Sequence, residues 1–382
     1  MRKTLTILAL VAIAPTAYGQ GLGDLSVISG PQYVNYKIGT GAGEKSVTQL
    51  AIPIAFVLPV TDRFTVDLSS SWADSRVSAN GVVSSKINGM TDTQLRGNLS
   101  FFDNTAVITV GVNIPTGMYK VPDAQQEAAG QIGSDFLLYP ISSMGSGSAL
   151  TSGFALARTW GEWNVGFGGS FRYSSPFDAY QVQDQVLRFE PGSETRARIG
   201  LDRSIGESQL SIGGTYSTFT DDKADSTTFA TGGRMLGQAT LVVPTDRGSW
   251  TLGVWDLYRA KGQQIGASAP TENISNFNVA YGFDMGDIFV QPSLEGRAWM
   301  RGGEKAGAVG SGGLRLRFDV MGLSVNPSMT YSMGNVYPIA STTSIDVRVS
   351  GDPSSFACAE VFFRDTCGAA SRDATACTVS RM

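Results

Sequence analysis

Residues 48–74 constrain the fold more than any other stretch, because apolar and polar side chains alternate there with a period of two. The first arm places its large apolar side chains on one face, at Leu50, Ile52, Ile54, Phe56 and Leu58. After a turn at 59–63, the second arm does the same with Phe64, Val66, Leu68 and Trp72. Successive side chains of a β-strand point to opposite faces of the sheet, so the pattern predicts a hairpin of two long strands.

The same alternation recurs from residue 31 to residue 350 and predicts sixteen strands, at 31–38, 47–58, 63–74, 91–102, 105–114, 149–160, 163–173, 194–203, 208–218, 233–243, 249–259, 274–283, 288–300, 313–319, 323–332 and 343–350. Short turns alternate with longer connections, which are predicted near 39–46, 75–90, 114–148, 174–193, 219–232, 260–273, 301–312 and 333–342. An even number of strands with short turns at one end and long loops at the other is typical of an outer-membrane barrel. The predicted fold is therefore all-β, a transmembrane antiparallel up-and-down β-barrel of about 16 strands, with 14 as the alternative count.

Alternation by itself also fits a soluble β-sandwich or an exported solenoid. The barrel is favoured because aromatic side chains cluster at the strand ends, as the two girdles of a barrel in lipid do. They are Phe64, Phe102, Trp160, Trp163 and Trp250 beside the short turns, and Trp72, Tyr173, Tyr258 and Tyr331 toward the long loops. A sheet in hydrocarbon cannot leave an open edge. The first strand, with Val34, Tyr36 and Ile38 expected to face outward, should therefore pair with the last, with Ile345, Val347 and Val349 outward.

The N-terminus predicts export. Arg2 and Lys3 precede a short apolar core, and Ala17-Tyr18-Gly19 is a small-x-small cleavage site, so residues 1–19 are predicted to be a cleavable signal peptide. Residues 20–350 would then form the barrel, in the outer membrane of a Gram-negative-type bacterium.

The C-terminal segment 351–382 differs from the rest, because it has no strand alternation and contains all three cysteines, Cys358, Cys367 and Cys377. One interpretation is a periplasmic tail with one disulfide and an odd thiol. The favoured alternative is a disordered extension, or a sequence altered near the end of the last strand, because unpaired-looking cysteines are unusual in an exported chain.

Arginine recurs on the polar face of the predicted strands. Since a charge facing lipid near the midplane would cost about 2–4 kcal/mol, these side chains are expected in the lumen. They are predicted to line the lumen and set its selectivity: Arg96, Arg172, Arg196, Arg198, Arg297, Arg315 and Arg317, with Arg234 and Arg348 on the same face. Because cations outnumber anions there, the set predicts a channel that favours anions. The alternative is a ladder of ion pairs, such as Arg315 and Arg317 against Glu295, that only fills the interior.

The connection 114–148 is the longest, and long connections are usually functional or disordered. It carries the acidic residues Asp123, Glu127 and Asp135. If it folds inward, it resembles the constriction loop of sixteen-stranded porins, with these acids opposite the arginines. The alternative is an extracellular loop that caps the mouth, which is slightly favoured because loops run over the surface.

Three short motifs carry a family resemblance, Gly21-Leu22-Gly23-Asp24, Pro59-Val60-Thr61-Asp62-Arg63 and Val112-Asn113-Ile114-Pro115-Thr116-Gly117. They resemble outer-membrane proteins associated with phenol-degradation pathways and, more distantly, transporters of long-chain fatty acids and aromatic hydrocarbons. The resemblance covers the first third of the chain and implies uptake of small hydrophobic compounds. It assigns no site residue at a matching position.

The chain has no histidine, which removes His-based metal sites and Ser-His-Asp triads, so neither an enzyme nor a cofactor is predicted. The net charge of −4 is spread along the chain without a basic block, which argues against nucleic acid as a partner. The expected partners are outer-membrane lipids and small-molecule solutes, with a homo-oligomer as a further option. Three functions remain open: a passive channel for small solutes, a transporter of hydrophobic or aromatic compounds, and a closed-pore barrel with a structural or surface-interaction role.

Overall fold

A computed structural model describes residues 25–38, 44–102, 104–118, 120–132, 141–182, 185–264, 267–320, 323–336 and 339–350. The predicted signal peptide at 1–19 and the predicted tail at 351–382 lie outside these residues. No helix in the described part of the chain is long and apolar enough to cross a membrane.

The described residues form strands almost throughout, with one short helix. The strands are β1 (Ser26–Ser29), β2 (Gln32–Ile38), β3 (Lys45–Thr61), β4 (Phe64–Ala79), β5 (Val82–Met90), β6 (Thr93–Phe101), β7 (Ala106–Ile114), β8 (Val121–Pro122), β9 (Ala149–Trp160), β10 (Trp163–Ser174), β11 (Phe177–Val182), β12 (Gln185–Glu190), β13 (Glu194–Ile205), β14 (Ser208–Phe219), β15 (Asp222–Ala224), β16 (Thr227–Phe229), β17 (Arg234–Thr245), β18 (Gly248–Arg259), β19 (Gly262–Gln264), β20 (Ala267–Ala269), β21 (Glu272–Met285), β22 (Ile288–Arg301), β23 (Glu304–Val320), β24 (Leu323–Val336) and β25 (Ile339–Ser350). Helix α1 (Asp123–Gly130) follows β8 directly.

The long strands form one antiparallel barrel, in which each strand pairs with its neighbours in sequence. β1 and β2 both pair with β3, and β5 and β6 both pair with β4, so each of these couples is one interrupted strand. Counted in this way, the described residues contain sixteen barrel strands. The last of them, β25, pairs with the first, where Tyr33 is in register with Ile345 and Ser29 with Val349. The ladder therefore returns to its start, as the sequence predicted.

The outer face of the barrel is apolar. Phe167 on β10 is in register with Leu156 on β9 and Ile199 on β13, and all three side chains are exposed. Large exposed apolar side chains continue around the barrel at alternate positions, including Ile108, Val110, Val112, Phe154, Ile212, Val254, Phe277, Leu294, Leu314 and Met329. Polar residues fall on the other face, which is the inner one, together with Arg96, Arg172, Arg196, Arg198, Arg297, Arg315 and Arg317.

Three predicted loops, 75–90, 301–312 and 333–342, belong largely to strands; in the last of them β24 reaches Val336 and β25 begins at Ile339. β4 continues to Ala79 and turns into β5 through Asn80 and Gly81, whose φ angles are 51° and 78°. β22 turns into β23 through Gly302 and Gly303, with φ angles of 61° and 86°. Positive φ at both central residues is what a type I′ hairpin turn requires, so both strand pairs run beyond the length predicted for them.

The predicted outward facing of Val34 and Tyr36 is wrong. Both side chains lie in the buried interior cluster, 4% and 1% exposed, whereas Tyr33 is 37% exposed on the outer face, in register with Ile345. The alternation was identified correctly but assigned to the wrong side, because Val34 and Tyr36 pack against the connection between β7 and β9. The outer face carries Tyr33 with the polar Asn35 and Lys37.

Candidate functional site

The described part of the connection between β7 and β9, residues 115–118, 120–132 and 141–148, packs against the inner wall at the long-loop end of the barrel, and we call it the inner segment. Its helix α1 rests on β4 and β5, where Ser85 Oγ donates to the Ala124 carbonyl oxygen at 2.7 Å and Ser75 Oγ to that of Ala128 at 3.1 Å. The helix packs on the face of β4 that carries Ala73 and Val77. This face is opposite the exposed apolar one.

An apolar cluster joins the inner segment to two distant parts of the wall. The inner segment contributes Val121, Ala128, Ile132, Ile141 and Met144. One part of the wall contributes Val34, Tyr36, Val47, Ala51, Ala73, Val77 and Ile87 from β2–β5, and the other contributes Leu257 from β18 and Ile274 from β21. Strands this far apart around the barrel can share a cluster only across its bore or its mouth. The apolar side chains of the segment are buried against the inner wall near the long-loop ends of the strands, and its β8 pairs with β11 of the connection between β10 and β13. Both the inward constriction and the slightly favoured extracellular cap stay predictions.

One carboxylate holds both ends of the inner segment. Asp92 Oδ1 accepts the backbone N–H of Gly117 at 3.1 Å, and Asp92 Oδ2 accepts that of Ser146 at 2.7 Å. Oδ2 also accepts Ser146 Oγ at 3.1 Å and Asn113 Nδ2 at 2.9 Å. A Cβ on Gly117 would lie 2.1 Å from the Met144 carbonyl oxygen, so the two ends touch. Asp92 thus fixes where the segment leaves the wall and where it returns.

Two of the predicted constriction acids, Asp123 and Glu127, have partners of their own. Asp123 begins α1 and accepts a hydrogen bond from Gln126 Nε2 at 3.0 Å. Glu127 forms an ion pair with Lys45 of β3, which offsets its charge on that side of the barrel. Asp135 lies outside the described residues. The role of these three acids at a constriction stays a prediction.

Four of the predicted lumen arginines lie on the inner face of β6, β10 and β13. The register runs from Asp67 to Arg96, then through Gly111 and Thr151 to Arg172 and Glu194, so these residues form one row across six strands. Arg196 and Arg198 follow Glu194 at alternate positions of β13. Arg196 donates to Glu194 at 2.7 Å, and Arg198 donates to Thr215 Oγ1 at 3.3 Å.

The other three predicted arginines lie on β22 and β23. Arg297 pairs with Glu295 and lies over the Trp255 ring at 5.7 Å. Arg317 lies over the Phe289 ring at 4.7 Å, and Arg315 is in register with Gln291 and Ser328. Glu295 therefore pairs with Arg297, whereas the predicted ladder matched it with Arg315 and Arg317.

The predicted selectivity set leaves out further arginines of the inner face. Arg196 is in register with Ser217, which is followed by Arg234, Arg259, Glu272 and Arg301 on successive strands. The polar-face pattern of the sequence already included Arg234. Arg301 was missed because it fell in a predicted loop, and Arg259 because the apolar residues of β18 occupy both faces. The inward Trp255 and Leu257, at alternate positions before Arg259, were the signal for its facing.

No protein-family description matches the chain, and a search of curated proteins finds no match either. Among solved structures, the chain is similar to an outer membrane channel of Pseudomonas putida F1, with 12% identity over 87% of this chain and 98% of that chain and a TM-score of 0.39. It is also similar to OprB of Pseudomonas putida, with 11% identity over 86% and 93% of the two chains and a TM-score of 0.48. A mutant porin of Rhodopseudomonas blastica shows 14% identity over 86% and 100% and a TM-score of 0.37.

With identities this low and TM-scores below 0.5, these likenesses do not indicate what the chain transports. The resemblance to phenol-degradation-associated proteins likewise stays a prediction.

Proposed function

We propose that the chain is an outer-membrane channel through which small solutes, anions above all, diffuse passively. The observation that carries the proposal is the combination of an apolar outer face with an arginine-bearing inner wall beside a folded-in segment. The apolar outer face is stable in contact with lipid, and the arginine-bearing inner wall is stable in contact with water.

The outer face supports a position in a membrane. Large apolar side chains are exposed around the barrel, and contiguous apolar surface of that extent is rare on soluble monomers. Trp160 and Phe102, at the short-turn end, are 81% and 80% exposed, and Tyr173, Tyr216 and Tyr331 are exposed toward the other end. Two aromatic bands around an apolar belt fit the two interfaces of a bilayer.

We place the solute path between the inner segment and the wall formed by β6, β7, β9, β10, β13 and β14. Among the described residues, none from these six strands belongs to the apolar cluster. Their inner face carries hydroxyl groups and glycines together with Arg96, Arg172, Arg196 and Arg198. A positively charged wall raises the local concentration of anions and lowers that of cations, which is the basis of the proposed selectivity.

Replacing Arg198 and Arg317 together by alanine is expected to lower the preference for anions, because the change removes two positive charges from the proposed lumen. The measurement is the reversal potential across a planar bilayer under a salt gradient. The matched control is Arg203→Ala, because Arg203 lies on the outer face over the Trp163 ring at 5.2 Å. Unchanged reversal potentials in the double variant would contradict the role of these two arginines.

The apolar cluster favours a second candidate, a closed barrel or a transporter of hydrophobic compounds. It crosses the interior from β2–β5 to β18 and β21, and partly buried Trp255, Trp299 and Leu236 pack against it. Liposome swelling separates the candidates, because an open channel admits small sugars and a closed barrel does not. An apolar molecule that co-purifies with a barrel that does not swell liposomes would favour the transporter.

A further inference from the structure

Arg234 and Arg259 lie directly opposite each other on the inner faces of β17 and β18. Neighbouring strands are about 4.8 Å apart, and like charges in directly opposite positions destabilise a sheet. Leu236 and Leu257 occupy the next inward positions on the same two strands, so an uncharged pair is compatible with this wall. The two guanidinium groups therefore need an explanation beyond the packing of the barrel.

The surroundings of this pair are positive. Glu272 forms ion pairs with Arg259 at 3.2 Å and with Arg301 at 3.4 Å, and Arg234 lies over the Phe219 ring at 5.5 Å. On the other side, Arg196 pairs with Glu194 and donates to Ser217.

Among the described residues, six arginines share this part of the inner wall with three glutamates and with Asp92, which acts on Arg172. The set includes the flanking positions and the exposed tip of the β22–β23 hairpin. The arginines are Arg172, Arg196, Arg198, Arg234, Arg259 and Arg301, and the glutamates are Glu194, Glu272 and Glu304. The side chains of Arg259 and Arg301 are 27% and 48% exposed, so a solute inside the barrel can reach them.

We propose that Arg234 and Arg259, with Arg196 and Arg301 on either side, form a binding site for a small organic dianion that carries two carboxylate groups. A guanidinium group presents its N–H donors in a planar fork that matches a carboxylate, and two adjacent forks with an excess of positive charge match two such groups. The site rests on the proposed channel function, as the point where the channel collects its solute. A bound dianion removes the repulsion between the opposed arginines.

Isothermal titration calorimetry on the full refolded barrel in neutral detergent tests the site, with succinate, propionate and inorganic phosphate as probes. Succinate is expected to bind at least about 10-fold more tightly than propionate, because only the dicarboxylate reaches both forks. Arg234→Ala with Arg259→Ala should weaken succinate binding by about 10-fold or more. Arg234→Lys with Arg259→Lys keeps the charge and loses the forks, and is expected to bind succinate with an affinity between those of the wild type and the double alanine variant.

Arg203→Ala is the control, because its guanidinium group lies outside the lumen, and its succinate affinity should equal that of the wild type. Succinate that binds no more tightly than propionate would overturn the dianion assignment, and phosphate that binds more tightly than succinate would overturn the carboxylate assignment. Unchanged binding in the double alanine variant would overturn the site. Calorimetry needs no ion flow, so a silent barrel that binds succinate contradicts only the channel, and a conducting barrel that does not bind it contradicts only the site.

Discussion

Asp92→Ala is expected to enlarge the conductance step of the channel. This carboxylate holds both ends of the inner segment through the backbone N–H groups of Gly117 and Ser146 and also accepts Asn113 Nδ2. Hydrogen bonds to a charged group contribute roughly 1.5–3 kcal/mol each, so the loss of this group of bonds should lower the free energy of unfolding by about 3 kcal/mol or more. We expect the inner segment to move away from its observed position. This movement widens the proposed path beside β6, β7, β9, β10, β13 and β14.

The measurement is the single-channel conductance of refolded protein whose folding is verified by its heat-modifiable migration. Asp92→Asn is the milder variant, because the side chain keeps one acceptor oxygen and loses its charge, and its conductance should fall between those of the wild type and Asp92→Ala. Asp62→Ala is the matched control, because Asp62 is an exposed residue of the short turn between β3 and β4. A folded Asp92→Ala barrel with the wild-type conductance step would contradict the role of Asp92.

Ile212→Arg is expected to destabilise the barrel in lipid by about 2–4 kcal/mol, whereas Ser211→Arg, one residue earlier, is expected to be nearly neutral. Ile212 is exposed on the outer face, in register with Leu201 and Ala239. Ser211 lies on the inner face, where its hydroxyl donates to Asp202 at 2.5 Å. An arginine at 211 would meet that carboxylate in water, whereas an arginine at 212 would meet hydrocarbon.

The measurement is urea unfolding from lipid vesicles, followed by tryptophan fluorescence for both variants and the wild type. The two substitutions introduce the same side chain at adjacent positions of β14. Each variant therefore controls for the size and the strand propensity of the introduced arginine. Equal destabilisation by the two variants would show that the outer face is not in contact with lipid.

The positions of most strands could be predicted because a closed barrel has one rule for all of them, alternation over about ten residues. The predicted strands 149–160 and 288–300 correspond to Ala149–Trp160 and Ile288–Arg301. The facing of β13 also followed, because Arg196 and Arg198 alternate with Ala197 and Ile199. The errors arose where the strands run past that length, at the Asn80–Gly81 and Gly302–Gly303 turns, whose residue types do carry the signal of a two-residue hairpin.

The interior was harder to predict because no period governs a segment that folds back on the inner wall. Nothing in the alternation shows that Asp92 would accept hydrogen bonds from the backbone N–H groups of residues 117 and 146. These contacts depend on where a long connection returns to the wall. The same segment explains the error at Val34 and Tyr36, since it buries apolar side chains on the face that is polar elsewhere. The opposed arginines on β17 and β18 depend on strand register, which the sequence gives only to within a residue or two.

Single-channel recording of the refolded protein in a planar bilayer under a salt gradient decides whether the barrel conducts anions. Steady ohmic steps are expected, with a reversal potential shifted toward that of the anion. Silence from protein that is folded and heat-modifiable would contradict the proposed channel and would favour a closed barrel.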